Sequence, residues 1–217
     1  MLSSMALEHG LRLSGEALRR LDEHARLMLE WNRSVNLTRI TDPFEIASKH
    51  FLDSLIPARW LPDEGRALDV GTGAGFPGAP LEVLHPGLQM VLLDRHRRKI
   101  AFLKVLLSRL GLPNIRAVQG RWEEWRQWGG PEAAGSFRLI VMRAVRLEAS
   151  HLVGLAAPLL EPGGVFAWWG GPGAGAEAAL FERELEGSEI RFLGGFDYSL
   201  PGGGGSRRLM AWRREER

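Results

Sequence analysis

The chain has 217 residues, of which 45% are hydrophobic and 25% are charged, and its formal net charge is +2. These proportions are typical of a folded globular protein with an ordinary core and exclude a disordered or collagen-like chain. No apolar run approaches the roughly 20 residues of a membrane helix, and the N-terminus lacks the basic start and apolar core of a secretory signal. Because there is no cysteine, we expect neither disulfides nor a thiolate metal site, and a cytoplasmic location.

Basic residues are concentrated in two parts of the chain. Residues 95–119 contain no acid but seven arginine or lysine residues, and five arginines follow residue 206. Such clusters bind RNA phosphates in some proteins and are solvated faces in others. The candidates for RNA binding in these clusters are Arg97, Arg98, Lys99, Arg207 and Arg208.

The first part of the chain predicts a small helical extension. Ser14 is a suitable N-cap for an amphipathic helix, and Asp42 followed by Pro43 opens a second one. On the second helix His50 and Asp53 are three residues apart and therefore share a face. They form either an ordinary surface pair or a pair that faces RNA or substrate. We expect a helical extension over residues 1–60 and a larger domain over residues 61–217.

Residues 66–94 predict a strand, a glycine turn, a helix and a second strand. The first strand is a short apolar run interrupted by Asp69, as suits a buried parallel strand. The glycines after it allow a tight turn and a close approach to a ligand. Asp94 ends the second strand, where open α/β sheets bind their ligands. The glycines are Gly71, Gly73, Gly75 and Gly78.

Two cofactors use a strand and a glycine turn of this kind. Gly73, Gly75 and Gly78 satisfy the dinucleotide fingerprint, but the strand ends two residues too early for a nicotinamide site. A carboxylate at Asp69 would also repel a pyrophosphate, whereas it would attract the ammonium of a methionine moiety. Asp94 would then accept hydrogen bonds from the ribose hydroxyls. The pattern favours S-adenosyl-L-methionine, with S-adenosyl-L-homocysteine as its product.

Strands and helices alternate through the rest of the chain, which predicts an α/β fold. We expect a Rossmann-like sheet of seven strands, mostly parallel, with an antiparallel C-terminal edge. The spacing of Asp69, Gly71, Gly73 and Gly75 resembles the first motif of class I methyltransferases, which implies the class I methyltransferase fold. The predicted strands after residue 94 are 115–118, 137–142, 165–169, 190–196 and 208–212, and the helices are 97–111, 147–160 and 174–186.

Several residues near predicted strand ends are candidates for the site. The backbone of Trp122 and Glu123 follows the third strand, where an amide can read an adenine edge. Arg143 follows the fourth strand and would point at the incoming substrate. Of Trp168 and Trp169, which face opposite sides of a strand, one is expected in the core and the other at the cleft. The glycines of residues 202–205 form either a mobile hairpin loop or a plain connection.

Six motifs occur in the order and spacing of one known family. They are residues 36–38 (NLT), 49–54 (KHFLDS), 69–78 (DVGTGAGFPG), 92–94 (LLD), 99–103 (KIAFL) and 143–144 (RA). With them the chain resembles the bacterial small-subunit ribosomal RNA guanine-N7 methyltransferases, also called glucose-inhibited division protein B. The resemblance covers nearly the whole chain.

The resemblance implies methyl transfer from S-adenosylmethionine to N7 of guanine 527 in 16S ribosomal RNA, either free or in the small subunit. We also expect a monomer, and the residues show neither a metal-binding constellation nor a membrane-spanning run, so we expect no metal and no membrane partner. Asn36 and His50 match family positions that are structural or RNA-facing, and Arg143 would position the reactants, since guanine N7 needs no general base. The family's cofactor contacts carry over to Gly71, Phe76, Asp94, the backbone of Trp122 and Glu123, and Arg143.

Two positions depart from the family pattern. Trp169 stands where the family has a lysine, and Arg208 stands where it has a histidine. If that lysine contacts RNA phosphate, this chain needs another cation, such as Arg207 or Arg208. Two alternatives stay open: a class I methyltransferase for another RNA, a small molecule or a protein, and a non-catalytic RNA-binding or assembly protein that retains the cofactor site.

Overall fold

A computed structural model shows a chain built around one seven-stranded sheet. It describes residues 1–125, 134–170, 181, 183–203 and 205–215. The strands are β1 (Glu64–Val70), β2 (Gly87–Asp94), β3 (Ile115–Gln119), β4 (Phe137–Arg143), β5 (Leu160–Gly170), β6 (Ile190–Ser199) and β7 (Ser206–Arg214). Their order is β3-β2-β1-β4-β5-β7-β6. Strands β1 to β5 pair in parallel, and β7 is antiparallel to both β5 and β6. The predicted fold class is confirmed.

Helices precede the sheet, and their starts follow the predicted caps. The Ser14 hydroxyl accepts a hydrogen bond from the Ala17 amide at 3.0 Å, and the Asp42 carboxylate accepts one from the Glu45 amide at 2.9 Å. These contacts satisfy amides that have no partner within the helix. The helices are α1 (Leu2–Glu8), α2 (Gly15–Asn32), α3 (Pro43–Ile46) and α4 (Asp53–Leu55), with a π turn (Ala47–Leu52) between α3 and α4 and a 3-10 turn (Ile56–Trp60) after α4.

Four further helices whose bounds lie within the described residues are found between the strands. They are α5 (Gly78–Leu84), α6 (Arg97–Leu110), α7 (Ala149–His151) and α8 (Ala157–Leu159). Gly111 ends α6 in the left-handed region with a φ of 61°, as the sequence predicts. A π turn (Leu152–Ala156) joins α7 to α8, so the helix predicted over residues 147–160 is shorter and is underwound at its centre. The helix predicted over residues 174–186 lies largely outside the described residues, as do Gly204 and Arg217.

The two faces of the sheet bury separate apolar cores. Successive residues of a strand point to opposite faces, and Ala67 and Leu68 of β1 accordingly belong to different clusters. One core packs helices α2, α5 and α6, with Leu103 among its buried residues. The other holds Trp122 and Phe166. No described helix is both long and apolar enough to cross a bilayer.

The C-terminal hairpin closes onto the N-terminal helices. The Ser48 hydroxyl donates to the Pro201 carbonyl at 3.1 Å. Trp168 and Trp169 are both buried, so the expectation that one of them borders an open cleft is wrong. Their indole N–H groups donate to the carbonyls of Val145 and Asp53, at 3.2 and 2.7 Å. Burial removes the large apolar surface of each indole ring from water, and each buried N–H has an acceptor inside the protein.

Candidate functional site

A cavity of about 450 Å³ opens at the carboxyl ends of β1, β2, β3 and β4. This is the edge where parallel sheets bind ligands, and the volume suits a nucleoside-sized molecule. The residues that line it are Val70, Gly71, Leu93, Asp94, Arg95, His96, Lys99, Gly120, Arg121, Trp122, Glu123, Met142, Ala144, Val145 and His151.

The glycine loop, residues 71–78, lies beside this cavity and lines it through Gly71, whereas the predicted residues Gly73, Gly75, Phe76 and Gly78 lie outside the lining. The amides of Gly71 and Thr72 donate to the Leu93 carbonyl at 2.9 and 3.1 Å, which fastens the loop to the end of β2. Gly71, Gly73 and Gly75 have φ values of 71°, 60° and 94°. Only glycine adopts this backbone region without strain, so the glycines are required by the path of the loop.

Asp69 holds the glycine loop from below and does not line the cavity. Its side chain is fully buried, and Oδ2 accepts hydrogen bonds from the Thr72 hydroxyl at 2.7 Å and the Gly78 amide at 2.8 Å. Burial raises the pKa of Asp69 to about 6, against the lowering effect of these two hydrogen bonds. A contact with a methionine ammonium stays a prediction, because the carboxylate faces the loop in this structure.

Asp94 lines the cavity at the end of β2. One oxygen accepts from the amide and the ring Nδ1 of His96, each at 2.8 Å, and the other accepts from the Gly73 amide at 3.1 Å. The Lys99 ammonium lies 3.8 Å from the carboxylate. These contacts fix its direction, while each carboxylate oxygen keeps capacity for a further donor. This arrangement fits the pair of hydroxyl groups of a ribose.

Trp122 and Glu123 lie in a 3-10 turn (Trp122–Glu124) on the far side of the cavity. The Trp122 ring is buried, and its Nε1 has no hydrogen-bond partner among the described residues. His151 lines the same wall, with its ring centroid 5.9 Å from that of Trp122. The sequence offered no signal for His151, because it lies in none of the motifs and its contact with Trp122 depends on tertiary packing.

Arg143 lies beside the cavity, between two residues that line it, and contacts the N-terminal helices. Its Nη1 donates to the Asp53 carboxylate at 3.0 Å and to the Lys49 carbonyl at 3.2 Å. Its Nη2 lies 3.3 Å from Nδ1 of His50, which must accept because a guanidinium only donates. Among the described residues, these contacts use three of its five N–H groups, so two remain for a ligand.

Phe76 lies between two imidazole rings at the end of the glycine loop. The His24 and His50 rings stack on it with centroid distances of 4.6 and 4.7 Å, and the Arg143 guanidinium carbon is 5.3 Å from its ring centre. Burial and the neighbouring charge of Arg143 lower the pKa of His50 to about 3, so this ring is neutral at physiological pH. Since Nδ1 of His50 accepts, Nε2 carries its proton and donates to the Thr38 hydroxyl at 2.8 Å.

His24 is a site neighbour that sequence reasoning missed. Its Nε2 lies 2.7 Å from the Ala74 carbonyl and donates to it, which links α2 directly to the glycine loop. Burial lowers the pKa of His24 to about 4, although that hydrogen bond opposes the shift. In the sequence His24 is one position of an amphipathic helix, and nothing there indicates which loop it meets.

Comparison with known proteins assigns this constellation to a family. The GidB family model, described as rRNA small subunit methyltransferase G, matches residues 17–198. A curated relative, ribosomal RNA small subunit methyltransferase G 1 of Syntrophobacter fumaroxidans, is 51% identical over 95% of this chain and 92% of its own length. The chain belongs to the GidB family. A second relative, ribosomal RNA small subunit methyltransferase G of Alkaliphilus metalliredigens, is 38% identical over 87% of this chain and 76% of its own length.

The solved structures agree with the fold. A protein from Aquifex aeolicus, described as a SAM dependent methyltransferase, aligns with a TM-score of 0.54 and 18% identity over 80% of this chain and 94% of its own. At that identity the similarity concerns the fold alone, which is the class I methyltransferase fold that the sequence predicts. In the described part of the chain, no three acidic or histidine side chains are grouped closely enough to hold a metal ion.

The structure separates the RNA-binding candidates of this GidB family member into two groups. Asn36, Arg97 and Arg98 are exposed, and the two arginines stand in the first turn of α6. The others have partners inside the protein: His50 with Arg143, Lys99 with Asp94, Arg207 with Asp53 at 3.8 Å, and Arg208 with Asp197 across the β6–β7 pair.

Trp169 occupies the position of the family lysine without reaching the surface. Its ring is buried, and its indole N–H donates to the Asp53 carbonyl. In this chain the position therefore connects β5 to α4, and its buried side chain cannot reach an RNA phosphate. A phosphate contact would therefore need a different, exposed basic residue in this chain.

Proposed function

We propose that this chain transfers the methyl group of S-adenosylmethionine to N7 of guanine 527 in 16S ribosomal RNA. The single observation that carries the proposal is the cavity at the strand ends, in which Asp94 and the glycine loop match the needs of a ribose and an amino-acid moiety. Membership of the GidB family supports ribosomal RNA as the substrate class. The exposed arginines beside the cavity support a polyanionic partner.

Different residues of the site would bind different parts of the cofactor. Asp94 would accept from the ribose hydroxyls, the backbone of Trp122 and Glu123 would face the adenine, and the glycine loop would accommodate the methionine portion. The bound cofactor supplies an electrophilic methyl group. Guanine N7 has a lone pair and no proton, so the protein must align the reactants and exclude water, and no general base is required.

Arg143 would form the substrate side of the site, and Phe76, which is buried between His24 and His50, would support its guanidinium. The Arg143 guanidinium is held near Phe76 with two N–H groups available among the described residues. A cation in this place can orient a guanine by donating to O6, which leaves the N7 lone pair free to attack the methyl group. A splayed nucleotide also needs a planar partner, which the guanidinium plane provides.

The test is methyl transfer from labelled S-adenosylmethionine to small ribosomal subunits, to naked 16S RNA and to a control without RNA. The labelled nucleotide is then mapped by cleavage at alkylated guanine. Label confined to guanine 527 is the expected result. Label in another RNA, or in the control without RNA, would assign a different methyl acceptor, and cofactor binding without any label would indicate a non-catalytic protein.

A further inference from the structure

Asp53 joins five elements of the fold through its buried side chain and its backbone carbonyl. It lies in α4, and its carboxylate contacts Arg143 at the end of β4, Tyr198 of β6 and Arg207 of β7. Its backbone carbonyl accepts from Trp169 of β5 at 2.7 Å. The side chain is almost inaccessible to water, so these protein groups replace its hydration.

The ion pair by itself does not fix the direction of the Asp53 carboxylate. Arg143 reaches it through Nη1 alone, at 3.0 Å from Oδ2, and not through the two parallel hydrogen bonds that lock a guanidinium onto a carboxylate. The Tyr198 hydroxyl donates to the other oxygen, Oδ1, at 2.7 Å. Holding Oδ1 sets the rotation of the carboxylate and therefore the place of Oδ2.

Tyr198 is suited to this role by its surroundings. The Trp60 ring lies against it, with centroids 6.4 Å apart, and restricts its movement. Burial, followed by the charge and hydrogen bond of Asp53, raises the pKa of Tyr198 above its ordinary value. The hydroxyl therefore stays protonated and remains a donor across the working pH range.

We propose that Tyr198 is a positioning residue for methyl transfer, which acts by orienting Asp53 and through it the guanidinium of Arg143. Without the hydroxyl, the one remaining partner of Oδ1 among the described residues is the Arg207 guanidinium, 3.8 Å away, and the carboxylate can turn toward it. Arg143 would then lose its fixed place beside Phe76. The inference rests on the proposed function for its kinetic consequence, but the position of Arg143 can be measured independently.

The kinetic test compares Tyr198→Phe with Ser48→Ala. The Ser48 hydroxyl joins the same helical region to the same hairpin but touches neither Asp53 nor Arg143, so its loss is a matched control. Tyr198→Phe should lower kcat about tenfold, since small displacements of a positioning group reduce rates steeply. Its dissociation constant for S-adenosylhomocysteine, measured by calorimetry without RNA, should stay near that of the wild type.

The same substitution in the Arg143→Ala variant distinguishes a positioning role from a general loss of rigidity. In Arg143→Ala the group that Tyr198 positions is gone, so adding Tyr198→Phe should lower kcat no further. Equal losses from Tyr198→Phe in both backgrounds would show independent effects and overturn the proposal. Circular dichroism spectra and thermal unfolding close to those of the wild type confirm that each variant is folded.

An RNA-free measurement keeps the inference separate from the choice of substrate. Side-chain ¹⁵N spectra should show a distinct Arg143 guanidinium signal, assigned by its loss in Arg143→Lys. Tyr198→Phe should shift or average that signal, whereas Ser48→Ala should leave it unchanged. If the wild type binds S-adenosylhomocysteine but methylates no RNA, the proposed substrate fails and this spectrum alone decides. An Arg143 signal that is identical in Tyr198→Phe and wild type would overturn the positioning role.

Discussion

Glu82 is a buried carboxylate whose replacement should stabilise the protein above neutral pH. It lies in α5, its side chain is almost fully buried, and its Oε2 has no hydrogen-bond partner among the described residues. Burial raises its pKa from 4.5 to about 7, and the charge of Arg20 offsets this only in part. Glu82→Gln keeps the size of the side chain and removes the charge that burial disfavours.

The direction of the change in stability follows from the ionisation of Glu82 in the folded chain and in the unfolded chain. Below pH 4.5 the carboxyl is protonated in both the folded and the unfolded chain, so burial carries no ionisation cost. Between pH 4.5 and 7 the unfolded chain ionises first, and the free energy of unfolding falls; above pH 7 the loss is constant. The advantage of Glu82→Gln should therefore grow from roughly 1 kcal/mol at pH 5 to roughly 3 kcal/mol at pH 8.

Urea unfolding of both proteins from pH 5 to pH 8.5 measures this difference. For a chain of this length, the change at pH 8 corresponds to a rise in Tm of roughly 6 to 12 °C. Glu30→Gln, which removes an exposed carboxylate from α2, is the control and should not change the pH profile. A stability difference that is the same at every pH would refute the reasoning, because it would show that ionisation of Glu82 is not involved.

Three further predictions concern the cofactor and RNA surfaces. Asp94→Ala should weaken S-adenosylhomocysteine binding about 100-fold by removing charge-assisted hydrogen bonds, and an unchanged dissociation constant in calorimetry would exclude the ribose role. His24→Phe keeps the ring stack but loses the donor to the Ala74 carbonyl, so the same assay should show binding about fivefold weaker; binding equal to wild type would remove His24 from the support of the loop. Replacing Arg97 and Arg98 with alanine should reduce the slope of log affinity against log salt by about 2 in RNA-binding titrations, whereas an unchanged slope would place RNA elsewhere.

Much of the fold follows from local sequence. The caps at Ser14 and Asp42, the end of α6 at Gly111 and the apolar runs of the parallel strands each depend on a few neighbouring residues. The glycine loop could be predicted from the sequence for the same reason, since its left-handed turns need glycine wherever they occur. Asp94 could be placed because parallel strands bring their carboxyl ends to one edge of the sheet.

The partners of buried polar groups were decided only by the tertiary structure. The spacing of His50 and Asp53 shows that they share a helix face, but not that Arg143 lies against it. Likewise, the stacking of His24 on Phe76, the bond from Tyr198 to Asp53 and the burial of Trp169 join residues far apart in the chain. Burial requires such groups to find donors or acceptors, while the choice of partner depends on which distant elements pack there, and that information is absent from any single segment.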